Sequence, residues 1–135
     1  MDTLRLTRTL ANQILTLAQH SANTEVCGLL GGKENRAHRC YPITNIAKQP
    51  QYRYEMAPQE QIAAMRQIRE AGDELVAIYH SHPRTAATPS DIDLKEAQYP
   101  NAAYLIISLN NEGVLELAAF RIRQHNATPL RLELE

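Results

Sequence analysis

Residues 79–94 read YHSHPRTAATPSDIDL, and the interpretation of the whole chain turns on them. The stretch starts where an apolar run, Leu75 to Tyr79, ends, and such a run marks a strand covered on both faces. Residues i and i+2 of a strand point the same way, so His80 and His82 share a face. Two imidazoles side by side are half of a zinc site. Pro83 stops the strand, and a small polar loop leads to Pro89-Ser90-Asp91-Ile92-Asp93, where a short helix begins. Ser-x-x-Asp is a capping-box spacing, with Ser90 as N-cap and Asp93 at the third helical position. A carboxylate held there can swing back toward the histidines as a third ligand. Three protein ligands and one water are the usual arrangement of a catalytic zinc. Each part also has a plainer reading: H-x-H as satisfied strand residues, S-x-x-D as a cap alone. The two readings of Asp93 are compatible, because a cap fixes where the carboxylate points.

Before this stretch, Pro58 suits the first turn of a helix, which carries Ile62, Met65 and Ile68 to a stop at Gly72. Tyr52–Glu55 alternates as a short strand, and Asn45–Pro50 is loop. Glu25–Gly32 and Ala37–Ile43 are expected to pair across the turn Lys33-Glu34-Asn35. Leu4–Leu6 reads as a short strand, and Thr7 as the cap of a helix whose apolar stripe is Leu10, Ile14, Leu15 and Leu17. After it, Ser90–Tyr99 is a helix ended by Pro100. Ala102–Leu109 and Val114–Ile122 form a hairpin around Asn110-Asn111-Glu112-Gly113, and Thr128–Leu134 adds an edge strand. The sum is an α+β (α/β-like) fold: a mixed, mostly antiparallel curved sheet flanked by two main helices and a short one.

At 135 residues the chain has room for one domain, 1–135, with a real core. A formal net charge of −1 carries no basic footprint, so neither nucleic acid nor a membrane surface is an expected partner. No apolar run reaches membrane-spanning length. MDTLRLTRTLANQ lacks the apolar core of a signal peptide, and two cysteines are too few for a disulfide scaffold. These features predict a cytoplasmic protein.

A zinc hydrolase needs a carboxylate that moves a proton beside the metal. Glu25 opens an otherwise apolar strand, either as that base or as a plainly exposed strand end. The Ser90 hydroxyl is near enough in sequence to serve as a donor to a developing oxyanion. Together, Glu25, His80-Ser81-His82-Pro83, Ser90 and Asp93, with H-x-H-x(10)-D spacing, resemble the JAMM (MPN-plus) metalloprotease motif at every position. The resemblance implies an MPN/JAMM (cytidine deaminase-like) fold over nearly the whole chain, with one Zn2+ held by His80, His82 and Asp93. It further implies Glu25 as acid/base, and Ser90 as the group that polarises the carbonyl and holds the oxyanion. EVCGLLGG and HSHPRTAATPSDIDLKEAQYPNAAYLIISL are most similar to small stand-alone prokaryotic members. The implied reaction is hydrolysis of a peptide or isopeptide bond at the C-terminal Gly-Gly end of a ubiquitin-like or sulfur-carrier protein, bound through its tail. The alternatives are a scaffold of the same fold without hydrolysis, or a JAMM hydrolase of an unrelated substrate.

Several residues invite roles that simpler readings cover. Cys27 shares a face with Glu25 yet packs well as a buried thiol. His20, His38 and His125 have no partner at ligand spacing and are expected on the surface. Arg84 could meet a substrate carboxylate, and Tyr52 and Tyr54 could line a groove; a loop arginine and ordinary strand tyrosines are the simpler readings.

Overall fold

A computed structural model of the protein describes residues 3–111 and 114–135. The chain begins with β1 (Thr3–Leu6) and α1 (Arg8–Gln19), and the Thr7 hydroxyl between them accepts from the Leu10 N–H at 3.1 Å. β2 (Cys27–Lys33) and β3 (Arg36–Ile43) are a hairpin whose two turn residues, Glu34 and Asn35, have φ of 54° and 65°. Such left-handed pairs match the twist of the flanking strands. α2 (Pro58–Glu70) starts on its proline and ends at Gly72, φ 75°. There the Gly72 N–H donates to the Arg69 carbonyl and the Asp73 N–H to that of Ile68, the Schellman closure that glycine permits. β4 (Glu74–His82), α3 (Asp91–Glu96), β5 (Ala103–Asn111), β6 (Val114–Arg123) and β7 (Asn126–Leu134) complete the order.

The strands close into a barrel in the order β1-β3-β2-β4-β5-β6-β7. Four pairings are antiparallel, and β1–β3, β1–β7 and β4–β5 are parallel. The expected mixed sheet is therefore present, but it closes on itself. Thr128–Leu134 is no edge strand: β7 pairs with β6 and also, in parallel, with β1, from Thr3–Arg131 to Leu6–Leu134. The closure is narrow at one seam, where β1 meets β3 only at Arg5–Arg36 and Leu6–Ala37.

Other boundaries also differ from the sequence reading. β2 begins at Cys27, which leaves Glu25 just outside it, and β4 runs on to His82. Residues 52–55 form no strand; their loop is closed only by an isolated bridge between Asn45 and Met56. α3 stops at Glu96, because Ala97 is already extended (ψ 125°). Ile62 is 61% exposed, and α2 packs through Ala64 and Ile68 instead. Glu112 and Gly113 of the expected hairpin turn lie outside the described residues.

Both faces of the sheet are covered. Along β5, Leu105 and Ile107 join Leu10, Ile14 and Tyr79 on the α1 side, while Tyr104 and Ile106 join Ile68 and Ile78 on the α2 side. β4 lies between β2 and β5 and is buried from Val76 to its end. His80 and His82 are therefore delivered, in step with Ile78, to the end of the most enclosed strand. Among the described residues no helix is long and apolar enough to cross a membrane.

Candidate active site

His80 and His82 are 1% and 2% exposed, and their Nε2 atoms lie 3.1 Å apart. Each is 3.0 Å from the same atom, Asp93 Oδ2. The capping box of α3 brings the carboxylate there: Ser90 Oγ accepts from the Asp93 N–H at 3.0 Å, and Asp93 Oδ2 accepts from the Ser90 N–H at 3.0 Å. The cap and the cluster thus use the same oxygen.

The protonation of this cluster closes in one of two ways: a charged His82 that donates from both ring nitrogens, to Ala86 and to Asp93, or a neutral His82 that needs a cation between the three ligand atoms. His82 Nδ1 lies 2.8 Å from the Ala86 carbonyl, which can only accept, so a neutral His82 carries its proton on Nδ1. Its Nε2 then turns a lone pair toward Asp93 and toward His80. A positive ion between the three atoms removes that conflict, and ligand atoms about 3.3 Å apart are what a tetrahedral zinc with bonds near 2.0 Å imposes. One ligand atom from each residue falls within 4.8 Å of the others. Two imidazoles and a carboxylate, buried and convergent, suit a metal ion.

Burial alone would raise the Asp93 carboxyl, but the hydrogen bonds from His80 and His82 hold it well below the usual carboxylate range. Burial lowers His80. It would lower His82 too, yet the Asp93 and Ala86 hydrogen bonds leave that imidazole raised.

Glu25 reaches the cluster through the sheet. β2 and β4 pair Cys27 with His80, and the next contact continues that register as Ser81 N–H to the Val26 carbonyl at 3.0 Å. One step further sets Glu25 level with His82, on the same face. Glu25 is 5% exposed, and its Oε1 has no hydrogen-bond partner among the described residues. Burial pushes its carboxyl up to about 8, with the His82 charge lowering it and the Asp93 charge raising it. All five residues singled out in the sequence are thus in one place.

Four further residues shape the site, one of them, Ser81, inside the motif and the other three outside it. Ser81, between the histidines, accepts the Val26 N–H on its Oγ at 2.9 Å and so pins the chain beside Glu25. Ser108 pairs with His82 across β4–β5 and donates to the Thr85 carbonyl at 2.7 Å, which holds the loop after the HSHP turn. Tyr54 stacks on His80 with ring centroids 4.6 Å apart. Asn45 anchors the loop that carries Tyr54. A cavity of about 200 Å3 opens beside Asp93, walled by Tyr54, Ile78, Ile92, Tyr99 and Tyr104. Tyr54 therefore does line a cleft, though from a loop; Tyr52 is 69% exposed and does not line this cavity.

Of the remaining candidates, Cys27 is buried and its thiol donates to the Ile43 carbonyl at 3.4 Å, with its pKa pushed by burial to about 12. Arg84 reaches Asn23 Oδ1 at 3.4 Å, His38 pairs with Asp73 at 3.3 Å, and His125 meets the Leu94 carbonyl at 3.1 Å.

The chain is similar to known proteins in sequence and in fold. The chain is 38% identical over 86 residues to a desampylase of Haloferax volcanii, a match that covers 62% of this chain and only 62% of that relative's own length. It is 36% identical over 115 residues to a CysO-cysteine peptidase of Mycobacterium tuberculosis, covering 84% of this chain and 78% of the relative. A protein of Desulfitobacterium hafniense of known solution structure superposes with a TM-score of 0.86 at 32% identity, over 98% of this chain and 92% of that one. Fold and site together define a JAB-type domain with a candidate metal centre. Residues 7–123 match the family of prokaryotic homologs of the JAB domain, and the chain belongs to that family.

Proposed function

We propose that this chain, as one domain over 1–135, is a zinc-dependent peptidase that cleaves the peptide or isopeptide bond following the C-terminal Gly-Gly of a ubiquitin-like or sulfur-carrier protein. The observation that carries the reading is the buried convergence of His80, His82 and Asp93 beside a Glu25 oxygen that has no partner among the described residues. The substrate class draws its support from the similarity to a desampylase and a CysO-cysteine peptidase.

His80 and His82 offer nitrogens and Asp93 an oxygen to a single ion, a donor set that suits zinc. When bound, zinc supplies a water acidified toward neutrality and a polarised carbonyl. Glu25 accepts the proton of the attacking water on its carboxylate and returns it to the leaving amine. The Ser90 hydroxyl spends its acceptor side on the Asp93 N–H, which leaves its hydrogen free to donate to the carbonyl oxygen as negative charge develops there. Tyr54 and the HSHP turn restrict water around the reacting atoms.

The test is intact-mass spectrometry of a ubiquitin-like sulfur carrier extended beyond its Gly-Gly end, incubated with the protein, with chelator and Glu25→Ala controls. The expected result is loss of the extension in the untreated reaction alone. No cleavage by protein shown to hold one zinc would overturn the substrate assignment. No cleavage and no bound metal would overturn the peptidase reading in favour of a scaffold.

A further inference from the structure

The segment 44–57 is the part of the site that the motif does not explain. It leaves β3, rises beside the His80–His82–Asp93 cluster and returns to α2, closed at its base by the Asn45–Met56 bridge and by the Ile46 N–H to the Glu55 carbonyl at 2.8 Å. Its interior is organised by one side chain. Asn45 Nδ2 donates to the Glu25 carbonyl at 3.0 Å and to the Arg53 carbonyl at 3.1 Å. Asn45 Oδ1 accepts from the Ala47 N–H and from the Glu55 N–H, both at 3.0 Å. A side-chain amide has two donor hydrogens and two acceptor lone pairs, and all four are used. Two carbonyls on one end and two N–H groups on the other also fix which end is nitrogen.

The four bonds join two parts of the site that are far apart in sequence. One is Glu25, whose own N–H donates to the Pro50 carbonyl at 2.8 Å and whose neighbour Val26 donates to Ser81 Oγ. The other is Tyr54, which sits between the two residues that Asn45 grips, Arg53 and Glu55, with its ring stacked on His80. Arg53 then reaches across to α3 and places one guanidinium nitrogen 2.8 Å from both oxygens of Glu96. Glu25 lies outside β2 and has no ladder of its own, so the line from Asn45 replaces the strand pairing that would otherwise hold it.

We propose that Asn45 is a positioning residue: its amide locks the Glu25 backbone to the Tyr54 loop, so that the carboxyl and the aromatic wall are set together against the metal-ligand cluster. The proposal rests on the peptidase reading for its catalytic meaning, and on the hydrogen bonds alone for the coupling. Substitution by alanine removes all four bonds. Asn45→Asp keeps the two acceptor bonds that fold the loop, loses both donors, and turns a carboxylate oxygen toward the Glu25 carbonyl. The aspartate variant therefore keeps the Ala47 and Glu55 bonds of the loop while it releases Glu25 and Arg53.

The experiment uses the zinc-loaded full chain, Asn45→Ala, Asn45→Asp and, from the exposed tip of the same loop, Gln51→Ala. Metal content, kcat and KM on the extended carrier, and residue-resolved amide hydrogen exchange are measured for each. Both Asn45 variants are expected to keep one metal per chain and a KM within about threefold, while kcat falls about 10- to 100-fold, the scale of a misplaced reacting group. Exchange at the Glu25 and Val26 amides should quicken in both, while β4 and β5 stay protected and Gln51→Ala behaves as the parent. An unchanged kcat, loss of metal in step with activity, or unchanged exchange at Glu25 in Asn45→Asp would overturn the proposal. If the parent protein hydrolyses nothing, the peptidase reading fails. The exchange measurement then decides the coupling alone, faster exchange at Glu25 upholding it and unchanged exchange refuting it.

Discussion

Glu25→Gln should make the metal-free protein more stable at neutral and alkaline pH, even though it is expected to abolish hydrolysis. The Glu25 carboxyl is buried with an oxygen that has no partner among the described residues, and burial raises it from its ordinary 4.5 to about 8. A carboxyl raised on folding binds more protons in the folded than in the unfolded chain between those two values. Its favourable share is therefore whole below pH 4.5 and is lost as pH climbs through 8. At about 1.4 kcal/mol per pH unit the rise corresponds to about 5 kcal/mol at most, and solvent reaching the cavity that Glu25 lines with Ser21, Thr24 and Asn45 screens this to about 2–3 kcal/mol. Glutamine has nearly the same shape and no charge to bury. Urea unfolding of chelator-stripped parent and variant, from pH 5 to 8.5, measures the effect. The parent should lose stability faster with rising pH, and the gap should reach about 2–3 kcal/mol near pH 8. His82, also raised, pulls in the same direction, and less in the variant, because the Glu25 charge is one of the causes of its rise. Parallel stability curves would refute the claim that Glu25 is held in a site that disfavours its charge.

Removing one ligand, by His80→Ala, His82→Ala or Asp93→Ala, should take bound zinc from one per chain to none by elemental analysis, with hydrolysis lost in parallel. Ser90→Ala should retain the metal while kcat falls about a hundredfold; losing the cap should also cost α3 about 1 kcal/mol in thermal unfolding. Gly28→Ala should destabilise the fold by about 3 kcal/mol or more, because the new Cβ meets the Tyr79 ring and lies 2.6 Å from the Tyr41 carbonyl oxygen. Gly72→Ala meets no atom but must hold a φ of 75°, so its cost should be about 1–2 kcal/mol.

The metal-ligand cluster was legible because it is local. Strand alternation pairs His80 with His82, a cap aims Asp93, and all three lie within fourteen residues. The place of Glu25 depends on the antiparallel register of β2 on β4, a long-range fact that no local pattern contains. The closure of the barrel is of the same kind: Leu130 and Leu132 alternate with polar residues as any half-buried strand does, and nothing in that pattern names β1 as a second neighbour. The misreading of α2 has a geometric cause. Ile62 and Ile68 are six residues apart, which puts them about 120° apart around the helix, and the closer approach is made at the smaller Ala64. Asn45 sits in a stretch that reads as loop, where an asparagine reads only as a turn residue, and the brief alternation of 52–55 points to a strand and not to the loop that carries Tyr54.

A scaffold and an enzyme make different demands on this arrangement. A scaffold needs the barrel, whose stability comes from the two apolar clusters against α1 and α2. It gains nothing from two histidines and two carboxyls held at 8% exposure or less at the end of the central strand. Buried ionisable groups are costly unless paired, and the pairing here is incomplete: Glu25 Oε1 and His80 Nδ1 have no partner among the described residues. A bound cation would offset much of that cost, and with it His80, His82 and Asp93 would serve as ligands while the ionised form of Glu25 would be favoured at neutral pH. Metal binding should therefore release protons, grow tighter as pH rises, and raise the unfolding temperature with free zinc concentration. Titration calorimetry in two buffers of different ionisation enthalpy reads the proton count. A value indistinguishable from zero between pH 6 and 8 would mean that Glu25 is already ionised and does not hold the proton assigned to it.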